Sequence, residues 1–489
     1  MKKQILTFVA AAAIALSGAG AALAACNISP LSNDSTCVDF NMWGASAENN
    51  FFNAVADQWL KAPQANGGLG CATATAPALY KDSKQGVSIG THCLGGATTV
   101  VFRYGNKASW DGIIAVTGGN YNAYTTEAAD ACVASTGKNY RTIINEASAL
   151  GACTGNPGLG NVCYQSANCQ PVNVGAADVA ANELVQQSTG SKLGPLGGAY
   201  ITRNFAATNG VATSGSNVTW PVSNSTVGDK VLVVPFSFWV NNSVTASTCS
   251  GGSSDGSPCA VAGDCPSGSC VSGQIENITH EQAVSIFSGT VDNWADFGVG
   301  YVAQPMDVCF RHAGSGSHAT LDWTVMHGGT SSLQSIAHLQ GATGGPGNNT
   351  AGNLWFNDGT TDALNCANRS SSIGSITYTD SDAVSVSQTL FGLTFPNLHE
   401  VKYQGLYGRH HALTGGQYDF YTTQHLYITS NSAPTGSTQL AIYNDLLLYL
   451  QDTTHLPASE AGFWALPTEM GFDKDNMRVY PGDTGNVPD

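Results

Sequence analysis

The chain reads as an α/β protein. Runs rich in β-branched and aromatic residues, such as Val100-Val101-Phe102-Arg103-Tyr104 and Lys230 to Val240, alternate with segments whose apolar residues recur every three to four positions. The second pattern is clearest at Phe52, Val55, Ala56, Trp59 and Leu60, and again at Leu440, Ile442, Tyr443, Leu446, Leu447 and Leu450. Several strand-like runs also pass into helix-like ones through short turns of Gly, Ser and Ala, as expected where helices cover a sheet.

At the N-terminus, Met1-Lys2-Lys3, the apolar segment Ile5 to Leu16 and the small residues Ala21 to Ala25 form a secretory signal peptide, 1–25. Two cleavage readings compete. Ala22-Leu23-Ala24 fits ordinary signal peptidase, whereas Leu23-Ala24-Ala25-Cys26 resembles a lipobox that would place a lipid on Cys26. Either way the mature chain is exported, to the periplasm or the cell exterior. No later run is long and apolar enough to span a bilayer. Fourteen cysteines in an exported chain read as disulfides, and their even number favours Cys26 pairing with Cys37 over lipidation.

The charge pattern narrows the partners. Only 11% of residues are charged and the net charge is −16, so the basic footprint of a nucleic-acid binder is missing, and the same balance argues against acidic membranes as partners. An acidic protein still binds an anion where local donors outweigh a distant, screened field.

In chain order, Trp43-Gly44-Ala45-Ser46-Ala47-Glu48-Asn49-Asn50 opens the first helix, with Ser46 as the expected N-cap. The strand Val100 to Tyr104 leads to a polar turn carrying Ser109. From about 118 to 170, Cys132, Cys153, Cys163 and Cys169 lie among Gly, Asn and Ala, a disulfide-stapled excursion. Val172 to Val179 reads as a short strand turning at Gly175 into a helix whose first turn holds Asp178, where a carboxylate ordinarily serves the helix dipole.

Lys230 to Val240 is a buried strand, and Pro235 within it predicts a hinge or irregularity that could carry the chain from one lobe to another. Cys249, Cys259, Cys265 and Cys270 follow in a Gly/Ser/Asp-rich loop, expected to be a disulfide knot rather than a metal site. Gly252-Ser253-Ser254-Asp255-Gly256 formally matches a hydrolase elbow but lacks the flanking strand and helix. Thr279-His280-Glu281-Gln282 is a capping box, and Gly289 ends its helix. Arg409-His410-His411 and Asp473-Lys474-Asp475-Asn476 both lack the ligand spacing of a metal site, so no metal and no cofactor are expected.

The stretch Arg311-His312-Ala313-Gly314-Ser315-Gly316-Ser317-His318 carries the most chemistry. It joins the extended run Tyr301 to Phe310 to a helix start whose Leu321, Val325 and Met326 share a face. Glycines admit close approach, first-turn N–H groups lack internal partners, and Ser315 and Ser317 add hydroxyls beside a guanidinium. Together these suit a tetrahedral oxyanion. A serine-capped helix start beside a surface arginine is the plainer reading of the same residues.

Several of these pieces stand in one order that resembles the periplasmic phosphate-binding proteins of bacterial ABC transporters, a two-lobed type II solute-binding fold. Arg311 with Gly314-Ser315-Gly316-Ser317 is similar to that family's R-x-D-G-S-G-T loop, and Gly175-Ala176-Ala177-Asp178 to its G-A-S-D element. Ile278 to Gly289 with Asn293-Trp294, Ile373 to Tyr378, and Ala465-Leu466-Pro467 resemble further family segments. The resemblance covers most of 40–475. It implies one lobe at 26–236 resumed at 383–489, and another at 237–382, with the ligand between them. The excursion 118–170 and a Cys-rich insert, 249–273, are additions to the family pattern.

The resemblance further implies that Ser109 and Asp178 from one lobe, and Arg311, Ser315, Gly316 and Ser317 from the other, hold inorganic phosphate for an ABC permease. The binder would be a monomer without enzymatic activity. Asp178 would accept the proton that phosphate keeps at neutral pH and sulfate lacks. Two residues depart from the pattern: Ala313 replaces an aspartate beside the arginine, and Glu48 stands where the family has a threonine donor. Ser46 and Asn49 are then the expected donors of the first helix, with arsenate, a phosphate ester or another oxyanion as alternative ligands. A rival reading is a cell-surface or matrix protein that kept the fold and lost or altered its ligand, with the Cys-rich insert as interaction surface.

Overall fold

The computed structural model describes residues 37–79, 85–106, 108–117, 132, 139–145, 166–179, 187–188, 203–204, 227–311, 314–326, 353–357 and 359–470. The expectations placed on the signal peptide, Cys26, Cys153, Cys163, Ala313 and Asp473 to Asn476 lie outside these residues, as does the side chain of Asn49.

The first half is built from β1 (Cys37–Gly44), α1 (Ser46–Lys61), β2 (Gln85–Cys93), β3 (Thr98–Asn106), α2 (Ser109–Thr117) and β4 (Val174–Ala177). β1 lies parallel to β3, with Cys37 opposite Thr99, and parallel to β4, with Met42 opposite Val174. The period of two along β3 assigns its faces. Val100, Phe102 and Tyr104 pack with Phe40 under α1, while Val101 joins Trp43 and the α2 residues Trp110, Ile113 and Ile114 on the other side. Phe52 and Trp59 of α1 each meet Phe102 edge-on, at 4.9 Å between centroids. Full burial of such side chains contributes roughly 1.5–3 kcal/mol each.

The second half holds β5 (Val227–Asn241), β6 (Thr245–Ser250), β7 (Ser269–Gln274), α3 (His280–Ser288), β8 (Met306–Arg311), α4 (Gly316–Thr320), β9 (Asn353–Asn357), α5 (Thr360–Asn368), β10 (Gly374–Asp380), α6 (Ala383–Phe391), β11 (Leu398–Tyr403), β12 (Tyr421–Ile428) and α7 (Thr438–Leu450). β8 runs parallel to both β9 and β10.

β5 connects two sheets. Its residues from Val227 to Pro235 pair with β12, which pairs in turn with β4, and its residues from Phe236 onward pair with β10 and, from Phe238, with β11. The change of partner falls between Pro235, opposite Tyr421, and Phe236, opposite Asp380. A proline has no N–H to give to a ladder, so it fits where one ladder stops and the next begins. Because β11 still pairs with the second half of β5, the chain pairs with the first half of β5 only at β12.

The mixed sheets, with helices on both faces of the first, make the fold α/β, as the alternation of periods predicts. The capping box holds α3: Thr279 Oγ1 accepts from Gln282 N at 3.2 Å, and Gln282 Oε1 accepts from Thr279 N at 3.0 Å. Gly289 ends that helix at φ 71°.

Disulfides join Cys71 to Cys93, Cys132 to Cys169, Cys249 to Cys265, Cys259 to Cys270 and Cys309 to Cys366, and Cys37 is also disulfide-bonded. The β6–β7 hairpin is therefore the expected disulfide knot. Although three of its cysteine sulfurs lie close enough together to suggest a metal cluster, all of them are consumed in S–S bonds. Among the described residues no helix is long and apolar enough to cross a membrane.

Candidate functional site

Parallel strands deliver their carboxyl ends to one edge, and here two sets of them face each other. From the first sheet, β1 runs into α1 and presents Ser46 and Glu48, β3 leads to Ser109 at the start of α2, and β4 ends immediately before Asp178. From the second, β8 ends on Arg311 and is followed by the turn into α4, β9 leads to Thr360 at the start of α5, and β10 ends on Asp380.

The two sets touch at Ser109. Its Oγ accepts from the backbone N–H of Gly316 at 3.1 Å and from that of Asp178 at 3.1 Å, and donates to Asp178 Oδ2 at 3.2 Å. The next residue, Trp110, donates its N–H to Gly314 O at 3.0 Å. Gly316 is required by this approach: a Cβ there would lie 2.4 Å from Asp178 Cβ and 2.5 Å from Ser109 Oγ. A second bridge runs from Ser46 Oγ to Thr360 Oγ1 at 3.1 Å, and Thr360 Oγ1 also accepts from Arg311 Nη1 at 3.0 Å. Ser109, Asp178, Arg311, Gly316 and Ser46 are thus assembled in one place.

Ser315 and Ser317 belong to the same turn and are fully buried, yet neither hydroxyl has a hydrogen-bond partner among the described residues. Ser315 occupies the N-cap position of α4 without making the cap bond, so the serine-capped reading of this stretch is not realised. Arg311 is likewise buried, not a surface residue. The expectation for Ser46 also changes. Ala45 is the N-cap and Ser46 the first helical residue, which frees its hydroxyl to reach Thr360.

Other side chains set the position of these groups. Tyr378 Oη accepts from Arg311 N at 3.2 Å and is hydrogen-bonded to His318 Nδ1 at 2.6 Å. Burial first, and then the Arg311 charge, push His318 down to about 3, which keeps the ring neutral. Asp111, in the first turn of α2, accepts from Trp43 Nε1 at 2.7 Å and pairs with Arg141 at 3.0 Å. A residue of the excursion thus buttresses the helix that carries Ser109. Gln424 Nε2 approaches Asp178 Oδ1 at 3.4 Å, and Thr422 Oγ1 donates to Asp178 O at 2.6 Å.

One guanidinium here faces several acids. Burial pushes Asp178 up to about 6, with Arg311, Ser109 and Gln424 opposing the rise. Burial, followed by the charges of Asp382 and Asp178, pushes Asp380 up to about 8. Glu48 is held well above its ordinary range by burial and by the neighbouring Asp178.

Thr360, Tyr378, Gln424 and Arg141 were not anticipated as site residues. A signal existed for Thr360: Gly359-Thr360-Thr361-Asp362 is a strand-to-helix junction, and Asp362 Oδ2 accepts from Gly359 N at 3.0 Å. The other three are polar residues in strands, brought in by pairings distant in sequence.

No family model matches the sequence. The chain is similar in structure to a phosphate-binding protein from Stenotrophomonas maltophilia, at 11% identity over 84% of this chain and 82% of that one, with a TM-score of 0.38. It is also similar to a putative phosphate ABC transporter substrate-binding protein with bound phosphate from Clostridium perfringens. There the identity is 11%, the TM-score 0.30, and the match spans 45% of this chain and 65% of that one, less than two thirds of its length. An ABC-type phosphate transport receptor from Vibrio cholerae matches at 12% identity over 46% of this chain and 68% of that one, with a TM-score of 0.26.

Proposed function

We propose that this protein is an exported, monomeric solute-binding protein that captures inorganic phosphate, or a similar tetrahedral oxyanion, between two lobes and passes it to an ABC permease. The lobes are the parts on either side of the Pro235 crossing. The observation that carries the reading is the meeting of Ser109 and Asp178 with Gly316, beside Arg311, at the carboxyl ends of two facing sets of parallel strands. Arg311, Ser46, Asn49, Ser315 and Ser317 serve as donors to the ligand oxygens, and closure around it excludes water and strengthens each bond. Asp178 supplies the acceptor for a ligand proton, a group that sulfate would leave opposed and unpaired. The reading assigns no catalytic step.

Calorimetry of the mature, oxidised protein with phosphate, arsenate and sulfate tests it. Tight binding of phosphate, exclusion of sulfate, and relaxation of that exclusion in Asp178→Asn are the expected results. Absence of oxyanion binding by folded protein overturns the proposal. A surface-interaction protein is then the better reading, favoured by the disulfide-locked hairpin with Val261 and Val271 exposed at 61% and 50%.

A further inference from the structure

We propose that Glu48 is a specificity-determining residue of this site, which meets the bound oxyanion as a neutral carboxylic acid and donates its O–H to a ligand oxygen. The inference rests on the oxyanion-binding reading above and adds a second proton to it.

Three observations place Glu48. It lies in the first turn of α1, two residues after Ser46, whose hydroxyl bridges to Thr360 and through it to Arg311. It is 1% exposed, and neither carboxyl oxygen has a hydrogen-bond partner among the described residues. Its electrostatic neighbours come from both sheets: Asp178 after β4 and Asp380 at the end of β10. Asp178 and Asp380 both feel Arg311, and beyond Asp380 lie the buried Asp382 and Glu460.

An ionised Glu48 would be a buried anion with no donor beyond its own main-chain N–H, beside two other acids, and would repel an incoming oxyanion. Its own main-chain N–H offsets only part of that cost. The neutral acid reverses the relation, because its O–H needs an acceptor and a ligand oxygen supplies one. Asp178 then accepts a proton from the ligand while Glu48 donates one to it. Binding of the oxyanion favours the protonated carboxyl, so affinity falls as pH rises through the ionisation of Glu48 in the unliganded protein.

The test compares wild type with Glu48→Gln by calorimetry with inorganic phosphate across pH 5.5 to 9, in pairs of buffers of different ionisation enthalpy. The amide keeps a donor and cannot titrate, and the ionisation of phosphate itself cancels between the two proteins. Wild type is expected to lose affinity with rising pH by up to about tenfold per unit more than the variant, and to take up correspondingly more protons. Glu48→Ala is expected to bind more weakly at every pH. Equal phosphate affinity of wild type and Glu48→Ala at every pH overturns the role of Glu48 while leaving oxyanion binding intact. If neither protein binds any oxyanion, the binding function fails and this inference fails with it. An infrared difference spectrum between the two unliganded proteins reads the carboxyl directly: an acid carbonyl band at neutral pH is expected, and a carboxylate band in its place overturns the inference.

Discussion

At the level of single residues, the site depends on how closely two backbones approach. The Gly316 N–H reaches Ser109 Oγ because nothing projects from the Gly316 α-carbon, and any side chain there meets Asp178 and Ser109 well inside contact distance. On the proposed function, Gly316→Ala is therefore expected to reduce phosphate affinity at least about tenfold, because an added Cβ meets Asp178 and Ser109. Titration of the variant beside its circular dichroism spectrum checks this, and unchanged affinity would show that the two segments separate further in the bound state. Arg311→Lys is expected to weaken binding as well, since an ammonium cannot reproduce the fork that reaches Thr360 and a ligand together. The stretch from Arg311 to Ser317 stood out in the sequence through its glycines and serines beside a guanidinium, whereas Ser109 and Asp178 were singled out only by the resemblance in motif order. Thr360, Tyr378 and Gln424 were not legible there. Their neighbours in space are 49, 67 and 246 residues away along the chain, and no local pattern encodes such a pairing.

At the level of elements, the readable parts were those governed by short-range rules. Alternation along β3, helical spacing along α1 and α7, and the Thr279 capping box all follow from side-chain direction and from unmet helix N–H groups, so they appear where expected. Thr279→Ala should cost about 1 kcal/mol of stability, measurable by denaturant titration, because the hydroxyl that accepts from Gln282 N is lost while the backbone N–H that donates to Gln282 Oε1 remains. What the sequence did not disclose is that Leu398–Tyr403 stays with the second sheet. Register between distant strands is set by which partner buries the better face, and β5 offers two. The Cys309–Cys366 bond ties β8, the strand that ends on Arg311, to α5, the helix that begins at Thr360. Replacing both cysteines by serine should lower stability by roughly 2–4 kcal/mol. It should also weaken phosphate binding beyond what a stability change alone predicts, since Arg311 and Thr360 lose their common support.

At the level of the whole molecule, the buried acids give stability an inverted dependence on pH. Asp178 titrates near 6 and Asp380 near 8 in the folded protein, both above the 3.8 of an unperturbed aspartate, and Glu48 and Glu460 are raised as well. Between about pH 4 and these values the folded protein keeps protons that the unfolded chain has released. Unfolding then loses protons, and the free energy of unfolding falls as pH rises. The contribution is fully present below about pH 4 and is lost as pH climbs through 6 and then 8. Over its own window each group costs up to about 1.4 kcal/mol per pH unit. The melting temperature of the unliganded protein at constant ionic strength should therefore decline from pH 5 to pH 8.5. Asp380→Asn, which cannot ionise, should match wild type at pH 5 and exceed it by several degrees at pH 8.5. A melting temperature that rises with pH over this interval, or an Asp380→Asn variant that tracks wild type throughout, would mean that these carboxyls are ionised when buried. In that case the acids around Arg311 repel one another in the unliganded protein.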